Sequence, residues 1–391
     1  MKTTQFLIAI FVYQTIAHAG DVPPIAKAIS GAQTQNPPVG VKGAKSKPQF
    51  QYKSAGIEVP AATADEPRVK TFGADSIQAA RKYLDDGAHE WVREHSCVAC
   101  HTSGVYMVER PVLTTMLGKP SEEVQRDFIA SIPEKPGGST IKSVWLASGL
   151  ASWDRHVTGA LDPSTDQSLR HMLSTMQPNG SFKPIDQVEI PYITTSFELT
   201  VQAARAIATA PGWLATVKEE DTLQRVGKIK AYLQGHQPVS DYEHALKLQL
   251  ALLMPELVSQ SQRDASIAML WRQQLPDGGW STRRMSDLMK WHEKMDPKVV
   301  EMIKSEPDAA SPASDAYMTS WAIVLLREAG TPPTDVRIQK GIAWLKREQR
   351  VSGRWWMKSL FRDTYHYSTY ISTAQALRAL ALCGEIPKLP E

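Results

Sequence analysis

The sequence predicts an all-α protein assembled from repeated helical hairpins, and three observations carry that expectation. A short frame recurs along the chain: Trp344-Leu345, then Gln349, Gly353 and Trp355, in "AWLKREQRVSGRWW". It returns as Met269-Leu270, Gln274, Gly278 and Trp280, and again as Met172-Leu173, Gln177, Gly180 and Phe182. Tyr232-Leu233 leads to Gln237 without the Gly-x-aromatic tail, and a truncated copy begins at Tyr83-Leu84. Second, each complete or partial copy downstream of residue 140 is followed by an apolar pattern rich in small residues, such as "DYEHALKLQLALLM" and "YISTAQALRALALCG". Third, apolar residues there recur three and four apart, as in Trp321, Val324 and Leu325, which is a helical period. Each unit is therefore a helix, a Gly-containing turn and a second helix. Two helices cannot bury their apolar faces alone, so the hairpins must stack or close into a ring.

At the amino terminus, Met1-Lys2, the run "FLIAIFVYQTIA" and Ala17-His18-Ala19 have the form of a secretory signal peptide over residues 1–19. The expected destination is the periplasm or another exported compartment. Residues 20–74 are rich in Pro, Gly, Lys and Gln and read as a disordered linker. Residues 75–120 form the first hairpin and 121–391 the remaining repeats. With 22% charged residues, 42% hydrophobic residues and a net charge of +3, the composition is that of an ordinary globular protein, without a basic patch for nucleic acid. No later run of eighteen apolar residues suggests a transmembrane segment. Three cysteines exclude a disulfide scaffold.

Chemistry concentrates in "HSCVACHTSG", where Cys97, Cys100 and His101 have the Cys-x-x-Cys-His spacing. In c-type haem attachment each thiol adds to a vinyl group and the adjoining histidine binds the iron, so all three are needed in this order. A zinc site wants two further ligands nearby, and a thioredoxin-like redox pair wants a strand before it, whereas "AARKYLDDGAHEWVREH" is helical. Haem c attached at Cys97 and Cys100, with iron on His101, is the leading expectation; a thiol pair or zinc are the alternatives. For the far side of the iron the sequence offers Met107, Met116, His156 or His171, each of which has an ordinary packing or surface role as its alternative. A redox partner protein would follow from a haem.

The segment Lys340-Gly341-x-x-Trp344-Leu345-x-x-x-Gln349-x-x-x-Gly353-x-Trp355 resembles the QW repeat of squalene-hopene and oxidosqualene cyclases. The resemblance covers roughly residues 140–385 and implies an α/α toroid, shared with protein prenyltransferase β subunits, whose inner helices surround a cavity for hydrophobic, isoprenoid ligands. Residues 75–118 resemble the start of exported bacterial proteins that join Cys-x-x-Cys-His to such repeats; the motif would replace the Gly-x-Trp turn of the first repeat. Departures limit the transfer of function. The Asp-x-Asp-Asp acid of the cyclases is missing, so an enzyme on this scaffold would sooner be an oxidoreductase than a cyclase. Asp315 in "DAYMTSW" and His366 in "RDTYHYSTY" match zinc-ligand positions of the prenyltransferases, but Tyr317 stands where the cysteine would be. Asp315 and His366 are the candidate catalytic residues of a terpenoid-modifying enzyme; their structural alternative is helix capping. A third possibility is a non-catalytic binding or scaffold toroid. The insertion 283–312 would cover the ring's mouth or decorate the surface. Trp355, Trp356, Tyr365, Tyr367 and Tyr370 would line a cavity or pack in the core.

Overall fold

Two short strands, β1 (Phe50–Ser54) and β2 (Ile57–Pro60), pair antiparallel ahead of six helical hairpins. The structure, a computed structural model, describes residues 49–95, 98, 100–184, 195–287, 297–358 and 365–387. The hairpins pair α1 (Ala74–His95) with α2 (Ser103–Glu109), α3 (Glu122–Ala130) with α4 (Thr140–Trp153), and α5 (Pro163–Ser174) with α6 (Ser196–Thr209). They continue with α7 (Glu220–Gly235) and α8 (Asp241–Leu253), then α9 (Gln260–Gln273) and α11 (Ala316–Glu328), between which lies α10 (Pro297–Lys304). The last pair is α12 (Val336–Glu348) and α13 (Tyr365–Leu382). The second helices form an inner ring: α2 packs on α4, α4 on α6, α6 on α8, α8 on α11, α11 on α13, and α13 returns to α2. The fold is thus the α/α toroid expected from the repeats.

Side chains of the recurring frame build this closure. Gly180, Gly278 and Gly353 sit at φ of 90°, 94° and 85°. A Cβ at each would overlap the backbone of the next outer helix, at Lys228 of α7, Lys340 of α12 and Ala79–Ala80 of α1 respectively. The last of these contacts joins the final hairpin to the first. Gln274 Nε2 donates to Gly278 O and, across the boundary, to Arg337 O; Gln349 Nε2 donates to Gly353 O and to Ser76 O. The aromatic after glycine donates its backbone N–H to a threonine of its inner helix: Phe182 to Thr200, Trp280 to Thr319, Trp355 to Thr373.

The leucine of the frame reveals a correspondence that the sequence hides. Its carbonyl lies in or near the last turn of the outer helix, where intrahelical donors run out. Trp280 Nε1 donates to Leu270 O and Trp355 Nε1 to Leu345 O, both at 2.7 Å. Where the tail tryptophan is missing, other donors take its place: Lys247 Nζ on Leu233 O at 2.7 Å, and Arg225 on Leu173 O at 3.3 Å. In the truncated copy Tyr370 Oη donates to Leu84 O at 2.6 Å. There, however, the helix does not end. It runs on to His95, so Cys97-x-x-Cys100-His101 does not replace the Gly-x-Trp turn at its own position but follows about three extra turns of α1.

The expected linker 20–74 is corrected over its described part. Tyr52, Ile57, Val59 and Ala62 are buried, and both strands pack on α1. Farther along, Val69 N–H donates to Gln349 O, Val351 N–H to Pro67 O, and Arg354 pairs with Glu66 at 2.9 Å. A period-two alternation only a few residues long, embedded among Pro, Gly and Lys, is too short to stand out, yet it covers the outer face of α1. Residues 1–48, with the expected signal peptide, lie outside the described residues.

Candidate functional site

The connection between α1 and α2 carries the Cys-x-x-Cys-His motif. Cys97, with Ser96 and Ala99, lies outside the described residues; Cys100 and His101 are described and buried. His101 Nδ1 shares a hydrogen bond with Thr102 Oγ1 at 2.9 Å, and Thr102 Oγ1 lies 3.4 Å from Tyr52 Oη of the amino-terminal hairpin. The His101 ring stands edge-on to Trp91, centroids 4.5 Å apart, and Trp91 also contacts His95 at 4.1 Å. Burial lowers the pKa of His95. Every residue of α2 is buried. A thiol next to an imidazole whose Nδ1 is already engaged makes Nε2 the metal-directed nitrogen, the usual arrangement for an iron-ligating histidine. Cys100 and His101 are the described residues of the set that would hold a c-type haem, Cys100 through its thiol and His101 through Nε2. Among the described residues no group of three His, Cys, Asp or Glu side chains is placed to hold a metal ion by itself.

The four side chains considered for the far side of the iron fall in different places. Met107 is fully buried, its Cβ against the position a side chain at Gly149 would take. Met116 is partly buried against the core, and His171 is buried on α5. His156 follows α4 and titrates in the field of Arg378, Arg205 and Glu109, with burial the larger reason for its lowered pKa. Those residues mark the carboxyl ends of the inner helices, whereas His101 precedes the amino end of α2.

Asp315 is the N-cap of α11. Its carboxylate accepts from Met318 N–H at 2.8 Å, Thr282 N–H at 2.5 Å and Thr282 Oγ1 at 3.0 Å. Burial pushes its pKa up to about 6 against these hydrogen bonds. Thr195, Ser240 and Ser139 cap α6, α8 and α4 in the same way. Tyr317 turns elsewhere, its hydroxyl 3.2 Å from that of Tyr242, which in turn donates to Glu198 at 2.6 Å. The Asp315 and Tyr317 side chains thus face different partners. His366 lies in the first turn of α13, and its side chain is outside the described residues, as are those of Tyr365 and Tyr367. Trp355 and Tyr370 are core residues at 0% exposure rather than cavity lining. Trp356 borders a cavity of about 410 Å³ together with Asp315, Trp344 and Arg350.

Residues 143–153 of α4 and 316–326 of α11 are buried on every face. Glu109 of α2 crosses the ring to Arg205 of α6 at 2.7 Å and meets Arg378 of α13 at 3.0 Å; Arg378 also pairs with Glu328 of α11. Burial alone would raise the pKa of Glu109, yet the two arginines hold it at about 2. These residues were not legible as a site because each belongs to a different repeat and none has a motif around it.

No protein-family model and no curated protein matches this sequence. Solved structures similar to it include the type II terpene cyclase MstE from Scytonema, at 14% identity, with 79% of this chain and 97% of that chain covered and a TM-score of 0.43. A wild-type glycosidase structure aligns at 15% identity, covering 82% of this chain and 92% of that one, with a TM-score of 0.42. Among the described residues no helix is long and apolar enough to cross a membrane.

Proposed function

We propose that this chain is an exported electron-transfer protein in which the first hairpin of an α/α toroid carries a covalently attached c-type haem. The observation that carries the reading is the Cys97-x-x-Cys100-His101 connection itself, set at the end of an outer helix extended for it, with His101 buried against Trp91 and oriented by Thr102. Cys97 and Cys100 would form the thioether bonds and His101 Nε2 the axial bond. When bound, the group supplies one-electron exchange. The chain's own residues do the positioning: Thr102 fixes the imidazole ring, Tyr52 approaches Thr102, and the buried surround of Trp91, Val98 and Val105 keeps water from the site. A low-dielectric surround of this kind tunes the potential. A redox partner protein then serves as source or sink.

The test is expression of the full chain with its leader in a host equipped for c-type haem maturation, followed by the reduced pyridine-haemochrome spectrum of the denatured protein. A c-type band that survives denaturation and disappears in the Cys97→Ser/Cys100→Ser variant is expected. Colourless protein with a normal helical circular dichroism spectrum would overturn the reading.

A further inference from the structure

The 410 Å³ cavity beside Asp315 is distinct from the haem-directed connection, and its chemistry is unlike that of a lipid site. It lies between the α9–α11 and α12–α13 hairpins, and the insertion supplies one wall through Asp308, Pro312, Ala313 and Ser314. Arg283 holds that wall by donating to Asp308 at 2.6 Å and to Ile303 O, and Lys358 ties to Glu306 at 2.6 Å.

Four cations border the cavity, and three have carboxylate partners: Arg68 with Glu348, Arg283 with Asp308, Lys358 with Glu306. Arg350 is different. It is only 6% exposed, it donates from Nη1 to the Glu66 carbonyl at 3.1 Å, its Nε has no hydrogen-bond partner, and among the described residues it forms no salt bridge. The Glu348 and Glu66 carboxylates act on it only through space, and a buried guanidinium with an unpaired N–H is costly; a carboxylate is its best geometric match. Around it, Trp344 and Trp356 contribute aromatic surface, and the Trp356 Nε1 donor is likewise without a partner. Asp277, Ser281 and Ser314 also border it; Asp277 already accepts from Gly279 N–H, Ser314 Oγ and Trp344 Nε1, so it and Ser314 offer a hydroxyl their remaining lone pairs. The volume is that of an ordinary small-ligand pocket.

We infer that this cavity binds a carboxylated saccharide, with Arg350 taking the carboxylate, the tryptophans flanking a sugar ring and the Asp277–Ser314 side receiving hydroxyls. A neutral sugar would leave Arg350 Nε without an acceptor, inorganic phosphate would leave the tryptophans unused, and an aromatic acid would leave unused the remaining accepting capacity of Asp277 and Ser314, which already bond to each other. Burial and then Arg68 lower the pKa of Arg350, while Glu348 and Glu66 pull it back up.

The experiment is a tryptophan-fluorescence and calorimetric titration of the full chain with the disaccharide of galacturonic acid. Saturable one-to-one binding is expected, at least tenfold tighter than for the neutral galactose disaccharide, benzoate or inorganic phosphate. Arg350→Met should weaken it at least tenfold, and the Cys97→Ser/Cys100→Ser variant should leave it unchanged, which separates this site from the haem. If Arg350→Met fails to fold, Trp356→Ala provides the second reading, with a severalfold loss expected. No saturable binding, equal binding of any comparison compound, or full affinity in a folded Arg350→Met or Trp356→Ala variant would overturn the inference.

Discussion

The two ends of the inner ring are closed by different means. At the carboxyl ends of the inner helices Glu109, Arg205, Arg378 and Glu328 clasp four helices across the axis, joined by Arg327 donating to Leu382 O. At the amino ends α4, α6, α8 and α11 are finished locally by their own caps, Ser139, Thr195, Ser240 and Asp315, whereas Thr102 ahead of α2 makes no side-chain cap, and the connections vary in length. One end is therefore a shared structural clasp, and the other can be altered hairpin by hairpin. The Cys-x-x-Cys-His connection and the Arg350 cavity both sit among the variable connections, as loops on a rigid scaffold commonly do.

The sharpest way to test the contrast is Glu109→Leu, which leaves Arg205 and Arg378 buried without their shared partner. A loss of about 3–5 kcal/mol in urea-unfolding free energy is expected. The wild-type clasp also has a pH signature. Because the folded pKa of Glu109, about 2, lies below the ordinary 4.5, its stabilisation is complete above pH 4.5 and fades as pH falls toward 2. The Leu variant should lack that part of the acid decline.

Gly353→Ala tests the seam between the last and first hairpins. The added methyl meets the α1 backbone at a left-handed position, and a loss of about 2–4 kcal/mol in thermal or urea unfolding is expected from strain and overpacking. An unchanged midpoint would mean that the ring does not depend on this close approach.

At the amino end the smallest effect belongs to Asp315→Asn, which keeps a capping acceptor and should cost no more than about 1 kcal/mol at neutral pH. Its diagnostic is the sign of the pH dependence. The folded pKa of about 6 lies above the ordinary 3.8, so wild-type stability from this group is greatest below about pH 4 and is lost as pH rises through 6. The Asn variant should flatten that slope; an unaltered profile would remove Asp315 as its source.

Much of the ring was legible because its repeats are local. The Gln-x-x-x-Gly-x-Trp spacing at Gln349 and Gln274 is a contact within one turn plus a reach to the next outer helix, so sequence order carries it. The hairpin at residues 50–60 was hidden because a strand signal that short is overwhelmed by its composition. Of the candidate sites, the Cys100-His101 pair was found from spacing alone, whereas Arg350 gave no signal. Its importance arises only because Arg68, some 280 residues earlier in the chain, already uses Glu348.

The sequence by itself determined the helical hairpins, the glycine turns that join them and the presence of a Cys-x-x-Cys-His connection, since each depends on side chains within a few turns of one another. Tertiary structure alone decided that Arg205 and Arg378 share Glu109, that Tyr370, Lys247 and Arg225 stand in for missing tryptophans, and that Arg350 Nε has no hydrogen-bond partner. Those outcomes depend on which distant side chains reach the same buried carbonyl or charge, and chain order does not encode that distance.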